Sequence, residues 1–260
     1  MKPRDLLFRL REFLLIAVFG LFPLVGAGPA TAGVPFVTDD PGTPEKGHFE
    51  IDLTGQLTHS RGDTRGNAAS AEVDYGLLDQ FELHAVVPLA FDSSRDTGTH
   101  FGPGDIELGV KYRFIDADEN GWRPAVAVAP TINLPSGASS HGLGTGRLHG
   151  SLPIWISEAL KEWTVFGGGG YAVNPGPGHK NFWFSGIAVT REMTPEFTIG
   201  GEIIYRSPAA IGGNTSVGFN LGGVYNLSDR DHLLFSAGRN FIHASENNLY
   251  SVFVGWQLTF

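Results

Sequence analysis

The sequence predicts an all-β fold, a transmembrane antiparallel up-and-down barrel of about 12 strands behind a cleavable signal peptide. Three observations carry this: an export leader, a two-residue periodicity that recurs through the chain, and a last strand that stops on an aromatic carboxylate. In Tyr250, Val252, Val254, Trp256, Leu258 and Phe260 one face is apolar, while Ser251, Phe253, Gly255, Gln257 and Thr259 make the other. A soluble sandwich also buries such a face. Together with an export signal, however, alternation of this kind points to strands with one face toward lipid and the other toward a polar lumen.

Residues 1–32 are read as the signal peptide. Lys2, Arg4, Arg9 and Arg11 precede an apolar run from Phe13 to Val25, and Ala30-Thr31-Ala32 supplies the small residues before the cut. The run is shorter than the roughly 20 residues of a spanning helix, and Pro23 interrupts it. Cleavage lowers 18 basic and 27 acidic side chains to 14 and 25, a net charge of −11 with His neutral. That argues against nucleic acid and against docking on anionic headgroups. With no cysteine there is neither disulfide nor thiolate chemistry. The 36 glycines and 19 phenylalanines suit a barrel, which uses glycine at kinks and aromatic residues at the two membrane interfaces.

Residues 33–46 have no period and are rich in turn formers. They form an irregular lead-in, either a plug or a periplasmic tail, with Phe36, Asp39 and Asp40 the plug candidates; Val34, Phe36 and Val37 give it something to bury. From 47 to 260 the chain is barrel. Strands are expected at 47–59, 69–77, 80–91, 104–114, 123–134, 147–157, 162–173, 181–191, 196–206, 215–227, 231–241 and 249–260, with the last pairing on the first. They recur about every 15 to 20 residues and bracket the roughly 9 to 11 residues of a tilted spanning strand. The clearest internal one sets Ile106, Leu108, Val110, Tyr112 and Phe114 against Asp105, Glu107, Gly109, Lys111 and Arg113. Short turns near Leu78-Asp79, Glu158–Lys161, Met193–Glu196 and Ser228–Arg230 alternate with longer loops such as Asp92–Pro103 and Pro135–Gly146. Short periplasmic turns and long outer loops give this pattern. Pro88, Pro130 and Pro153 inside strands are read as bulges, the strand at 181–191 has an ambiguous register at Phe182-Trp183-Phe184, and Gly167–Gly170 marks curvature or close side-chain approach.

Several stretches together resemble the outer-membrane transporter family of the phenol-degradation meta-pathway type. They are Thr38-Asp39-Asp40-Pro41, Gly104 to Tyr112, Leu152-Pro153-Ile154-Trp155, Trp163 to Tyr171, Gly218 to Gly223 and Leu233 to Arg239. The resemblance covers most of the mature chain. It implies an outer-membrane β-barrel and uptake of small, often aromatic, molecules, and it carries over no catalytic or binding residue.

By alternation the lumen candidates are Glu50, Asp52, Glu72, Asp74, Glu82, His84, Asp105, Glu107, Lys111, Arg113, Glu202, Arg206 and Phe253. As an acidic lining with a basic patch they would select solutes by their field; the structural alternative is that they pair and fill a narrow barrel. The enzymatic alternative is an outer-membrane acyl hydrolase using His149 and Ser151, two residues apart on one face of the sixth strand. Alternation turns both inward, away from lipid. The loop histidines lack metal-ligand spacing, and neither metal nor cofactor is expected. The reading is a passive outer-membrane channel for small, aromatic or hydrophobic solutes, with no catalytic residue; a barrel serving structure or partner binding is the other alternative. Its partners are outer-membrane lipid, a small-molecule solute, and the barrel assembly machinery, met through the strand ending at Phe260.

Overall fold

The computed structural model describes residues 34–118 and 123–260. The expected signal peptide at 1–32, Gly33 and part of the Asp116–Trp122 connection lie outside the described residues. The strands are β1 Phe49–Ser60, β2 Asp63–Leu78, β3 Phe81–Ser94, β4 in two pieces (Gly98–Pro103 and Ile106–Ile115), and β5 in two pieces (Ala125–Val128 and Thr131–Leu134). They continue as β6 His149–Leu160, β7 Trp163–Val173, β8 Phe182–Thr194, β9 Phe197–Arg206, β10 Ser216–Asn226, β11 Asp231–Ile242 and β12 Tyr250–Thr259. Each pairs antiparallel with the next, and β12 pairs back onto β1 from Glu50↔Thr259 to His59↔Tyr250. The twelve staves therefore close into a barrel, as a sheet in lipid must, and among the described residues the outer piece Gly98–Pro103 rises past the closed part paired to β3 alone. Phe260 extends the closing ladder by exchanging backbone hydrogen bonds with Phe49.

Burial is inverted relative to a water-soluble barrel. Leu221 and Val254 are 62% and 56% exposed on the outer face, whereas Asp52 and Gln257 are each 1% exposed inside. Aromatic contacts gather near the two rims. Phe49 meets Tyr75 at 4.6 Å and Phe260 at 5.7 Å at the short-turn end, and Tyr171 meets Trp183 at 4.8 Å near the other. These are the positions of the bilayer interfaces. The chain is thus an outer-membrane β-barrel, and no described helix is long and apolar enough to cross a membrane.

The expected strands are all present, but two loops are shorter than the sequence suggested. β2 begins at Asp63, not near residue 69, because Arg61-Gly62 closes a tight turn in which Gly62 adopts φ +84°. Asp92–Pro103 is largely the tip of a hairpin, with β3 running to Ser94 and β4 starting at Gly98, where φ is +80°. Glycine in the left-handed region lets strands continue through what composition marks as loop. Among the prolines, Pro130 breaks β5. Pro88 and Pro153 instead stay in register with Ser70 and Gly170, and each lies beside an interrupted neighbour: Gly104 donates to the Pro88 carbonyl and Ala129 to that of Pro153. A residue without an N–H is tolerated where the facing strand has itself broken off. In β8, Trp183 is exposed outside while Phe182 and Phe184 face inward.

Candidate functional site in the barrel lumen

The first four strands build an ionic wall by register. On the inner face Glu50 stands opposite Asp74 and Asp52 opposite Glu72 across β1 and β2. Asp74 is opposite His84 across β2 and β3, and Glu82 is opposite Lys111 across β3 and β4. His84 Nδ1 lies 2.6 Å from Asp74 and 3.5 Å from Glu72, while its Nε2 lies 3.3 Å from Glu107. With a carboxylate on each side, both ring nitrogens act as donors. Asn133 of β5 donates to Glu107 at 2.8 Å and Gln257 of β12 donates to Glu50 at 2.8 Å.

Across the lumen the wall is made of small and aromatic residues. In β7–β10 the inward positions include Phe166, Gly168, Ala172, Phe184, Gly186, Ala188, Gly200 and Asn220. The Trp155 ring of β6 packs over Gly168, where any side chain would collide with it and with the Ile154 carbonyl. Phe184 lies 6.3 Å from Trp155. The glycine run therefore serves close approach, one of the two roles its composition suggested.

Residues 34–46 pass through the space between the walls. Ser236 of β11 donates to the Pro35 carbonyl at 2.7 Å, and Phe36 lies 6.3 Å from Phe166. The Glu202 carboxylate of β9 accepts the Val37 N–H at 2.9 Å, the Thr38 N–H at 2.8 Å and the Thr38 hydroxyl at 2.6 Å, and it also accepts the Asn220 amide. Thr38 crosses directly over Gly186, where a methyl group would strike its Oγ1. The segment then reaches the ionic wall, where Lys111 Nζ lies 3.1 Å from both oxygens of Asp39. It leaves near the β2–β3 turn, with Thr43 Oγ1 donating to the Asp79 carbonyl at 3.2 Å and Gly76 passing close under Pro44 and Glu45. Thr38, Asp40, Pro41 and Thr43 are buried. Burial pushes the Asp40 carboxyl up to about 7, with Asp39 adding to the rise and Lys111 and Arg113 opposing it. The walls and the segment together enclose a cavity of about 300 Å³.

Of the residues singled out from sequence, Glu50, Asp52, Glu72, Asp74, Glu82, His84, Glu107 and Lys111 line this cavity with Phe36, Asp39 and Asp40. Glu202 instead holds the inserted segment. Asp105 sits at the outer mouth and fastens the 135–148 loop: it accepts the N–H groups of Gly137 at 3.0 Å and Thr145 at 2.7 Å. Partial burial raises its carboxyl, but the Thr145 and Gly137 N–H groups and the Thr145 hydroxyl outweigh this and hold it below the ordinary carboxylate range. Arg113 lies at the opposite mouth, bonded to Asp116 at 2.9 Å and to the Asp79 carbonyl at 2.9 Å. Arg206 stacks its guanidinium 4.4 Å from the Phe182 ring centre. Phe253 is half-buried on the inner face of β12, in register with Ser236.

His149 and Ser151 both point inward but serve other partners. His149 Nδ1 lies 3.1 Å from Thr145 Oγ1 and 3.2 Å from the Arg147 carbonyl, while Ser151 Oγ lies 3.1 Å from Thr131 Oγ1. Sequence reasoning missed Trp155, Phe166 and Phe184 as interior residues, whereas Gln257 lies inside as alternation placed it. Strand parity held the signal for Trp155, since it shares a face with His149 and Ser151, whereas the glycine run hid it for Phe166.

The same fold occurs in solved barrels. An outer membrane channel from Pseudomonas putida F1 superposes with a TM-score of 0.66 at 15% identity, covering 85% of this chain and 99% of that one. The NanC porin gives 0.54 at 11% identity, over 81% and 98% of the two chains. The translocator domain of the autotransporter NalP from Neisseria meningitidis gives 0.51 at 11% identity, over 84% and 89%. No protein of curated function matches the sequence. Residues 32–257 match the family described as "Putative MetA-pathway of phenol degradation", and the chain, a twelve-stranded outer-membrane barrel with a chain segment lodged in its lumen, belongs to that family.

Proposed function

We propose that the protein is a passive outer-membrane channel for small solutes, suited best to aromatic molecules that carry a polar group. The observation that carries this reading is the two-sided lumen. On one side stand the carboxylates, His84 and Lys111; on the other stand Trp155, Phe184 and the inserted Phe36, around a cavity of about 300 Å³. A flat ring gains from aromatic faces while a hydroxyl or carbonyl gains from the ionic wall. The family description names phenol degradation, and the Pseudomonas relative is an outer membrane channel.

In this reading the lumen charges set selectivity through their field, and residues 34–46 act as a plug that narrows the path. The outer apolar band faces lipid, and the strand ending at Phe260 is the part met by the barrel assembly machinery. No covalent step is involved. The test is reconstitution of the mature barrel, its folding established by heat-dependent gel mobility, followed by ion conductance and phenol flux in liposomes. Flux of phenol above that of a charged sugar is expected, and Trp155→Ala should lower it several-fold. A folded barrel that passes neither ions nor phenol overturns the proposal.

A further inference from the structure

The ionic wall contains an imbalance that its own cations do not correct. Eight carboxylates border the cavity, on Asp39, Asp40, Glu50, Asp52, Glu72, Asp74, Glu82 and Glu107, against the two cationic side chains His84 and Lys111. The cations are also unevenly placed. Lys111 serves Asp39 and stands opposite Glu82, while His84 serves Asp74, Glu107 and, at 3.5 Å, Glu72, so Asp52 of β1 has neither cation as an ion-pair partner within 4 Å. Between β1 and β2 the register sets carboxylate directly against carboxylate twice, Glu50 with Asp74 and Asp52 with Glu72. Directly opposed like charges destabilise an antiparallel pair. Asp52 is the extreme case: it is 1% exposed, and its Oδ1 has no hydrogen-bond partner. A buried acceptor without a donor costs about 1–3 kcal/mol, and more when charged.

One oxygen each from Glu50, Asp52 and Asp74 lies within 4.8 Å of the others. A single cation about 2.3–2.6 Å from each oxygen spans such a triangle. We propose that Glu50, Asp52 and Asp74 form a binding site for a divalent cation, of which Ca²⁺ fits best, bridging β1 and β2 inside the barrel. The donor set is all oxygen, which selects a hard cation, and water in the adjoining cavity supplies the remaining ligands. A second trio, Glu72, Asp74 and His84, has the same spacing. It is the poorer site, because both His84 nitrogens already face carboxylates, whereas a metal-binding imidazole must present a lone pair. The site was invisible as a motif: Asp52 and Asp74 are distant in sequence, and only strand register brings them together.

The test is calorimetric titration of CaCl₂ into the refolded mature barrel in detergent, after treatment with a chelator. One saturable site per chain is expected, weakened at least about tenfold by Asp52→Asn, because affinity follows the charge count of the ligands. Asp96→Asn, at the exposed hairpin tip, is expected to bind like the wild type. Should Asp52→Asn not reach the folded gel mobility, Glu50→Gln takes its place with the same expected weakening. Absence of saturable Ca²⁺ binding in the folded wild type, or equal binding in the folded variant, overturns the proposal. The readout needs no solute flux, so it stands or falls separately from the channel reading.

Discussion

The inner face of β1–β4 and that of β7–β10 meet the same lumen with opposite materials. The first carries long ionic side chains that reach one another across the ladder. The second carries glycine, alanine, threonine and asparagine, with aromatic rings between them, and Glu202 stands among these as the lone carboxylate of the β9 inner face. The small-residue side leaves room that residues 34–38 occupy; the ionic side borders the remaining cavity, and the segment meets it at Asp39 and Asp40 before leaving past Gly76 and Asp79. In a barrel of this width, side chains and an inserted segment compete for the same volume. Glycine at Gly186 is therefore a docking feature, since the wall has no side chain where Thr38 crosses it.

The largest expected effect tests that docking. Glu202→Ala removes the acceptor of two backbone N–H groups, one hydroxyl and one amide. Three of these four bonds hold the segment, so at about 1.5–3 kcal/mol for each hydrogen bond to a charged group docking should weaken by about 4.5–9 kcal/mol. Single-channel conductance should rise and residues 34–46 should become open to protease, with Gly186→Val giving the same result by collision. Unchanged conductance and protection in both variants would show that the small-residue wall does not hold the segment.

Lys111→Met tests the ionic wall. It leaves the carboxylates of Asp39 and Glu82 without their nearest cation, and breaking a buried pair from one side costs about 3–5 kcal/mol. The temperature at which the folded band converts to the unfolded band on gels should fall clearly. A transition at the wild-type temperature would mean that the lumen is wet enough to solvate these groups.

A smaller effect lies at the junction of the two walls, in the pH dependence set by Asp40. Its carboxyl rises from 3.8 to about 7 in the docked segment, so the docked state binds more protons than the free one. Its contribution to docking is full below about pH 4 and declines as pH rises toward 7. Lys111 and Arg113 oppose the rise and Asp39 adds to it, so they set how far up in pH the decline extends. Protease sensitivity of residues 34–46 should increase over that interval in the wild type and stay flat in Asp40→Asn. Equal pH profiles would remove Asp40 as the titrating group.

The smallest effect is at the outer mouth. Asp105→Ala frees the 135–148 loop from the N–H groups of Gly137 and Thr145. Hydrogen exchange in that loop should accelerate while barrel stability moves by no more than about 0.5 kcal/mol. In the wild type the same loosening should appear in acid. The folded carboxyl titrates below the free one, so its contribution is present at neutral pH and is lost as pH falls through the lowered value.

The sequence alone determined the parity of the barrel. Alternation every second residue fixes which side chains face lipid and which face the lumen, so Asp52, Glu82 and Lys111 were legible as interior and Leu221 and Val254 as exterior. It also fixed closure, because twelve such segments in an exported chain have no stable arrangement with an open edge. Parity says nothing about who stands opposite whom. Register is set by turn geometry and bulges, such as the tight turn at Gly62 and the shift between Thr54 and Gln56, and these decide that Asp52 faces Glu72 and that Asp74 finds His84. The course of residues 34–46 was likewise settled only in three dimensions. An aperiodic segment carries no signal of its own path, and its position follows from Gly186, Glu202 and Ser236, which come together on strands far from it in the chain.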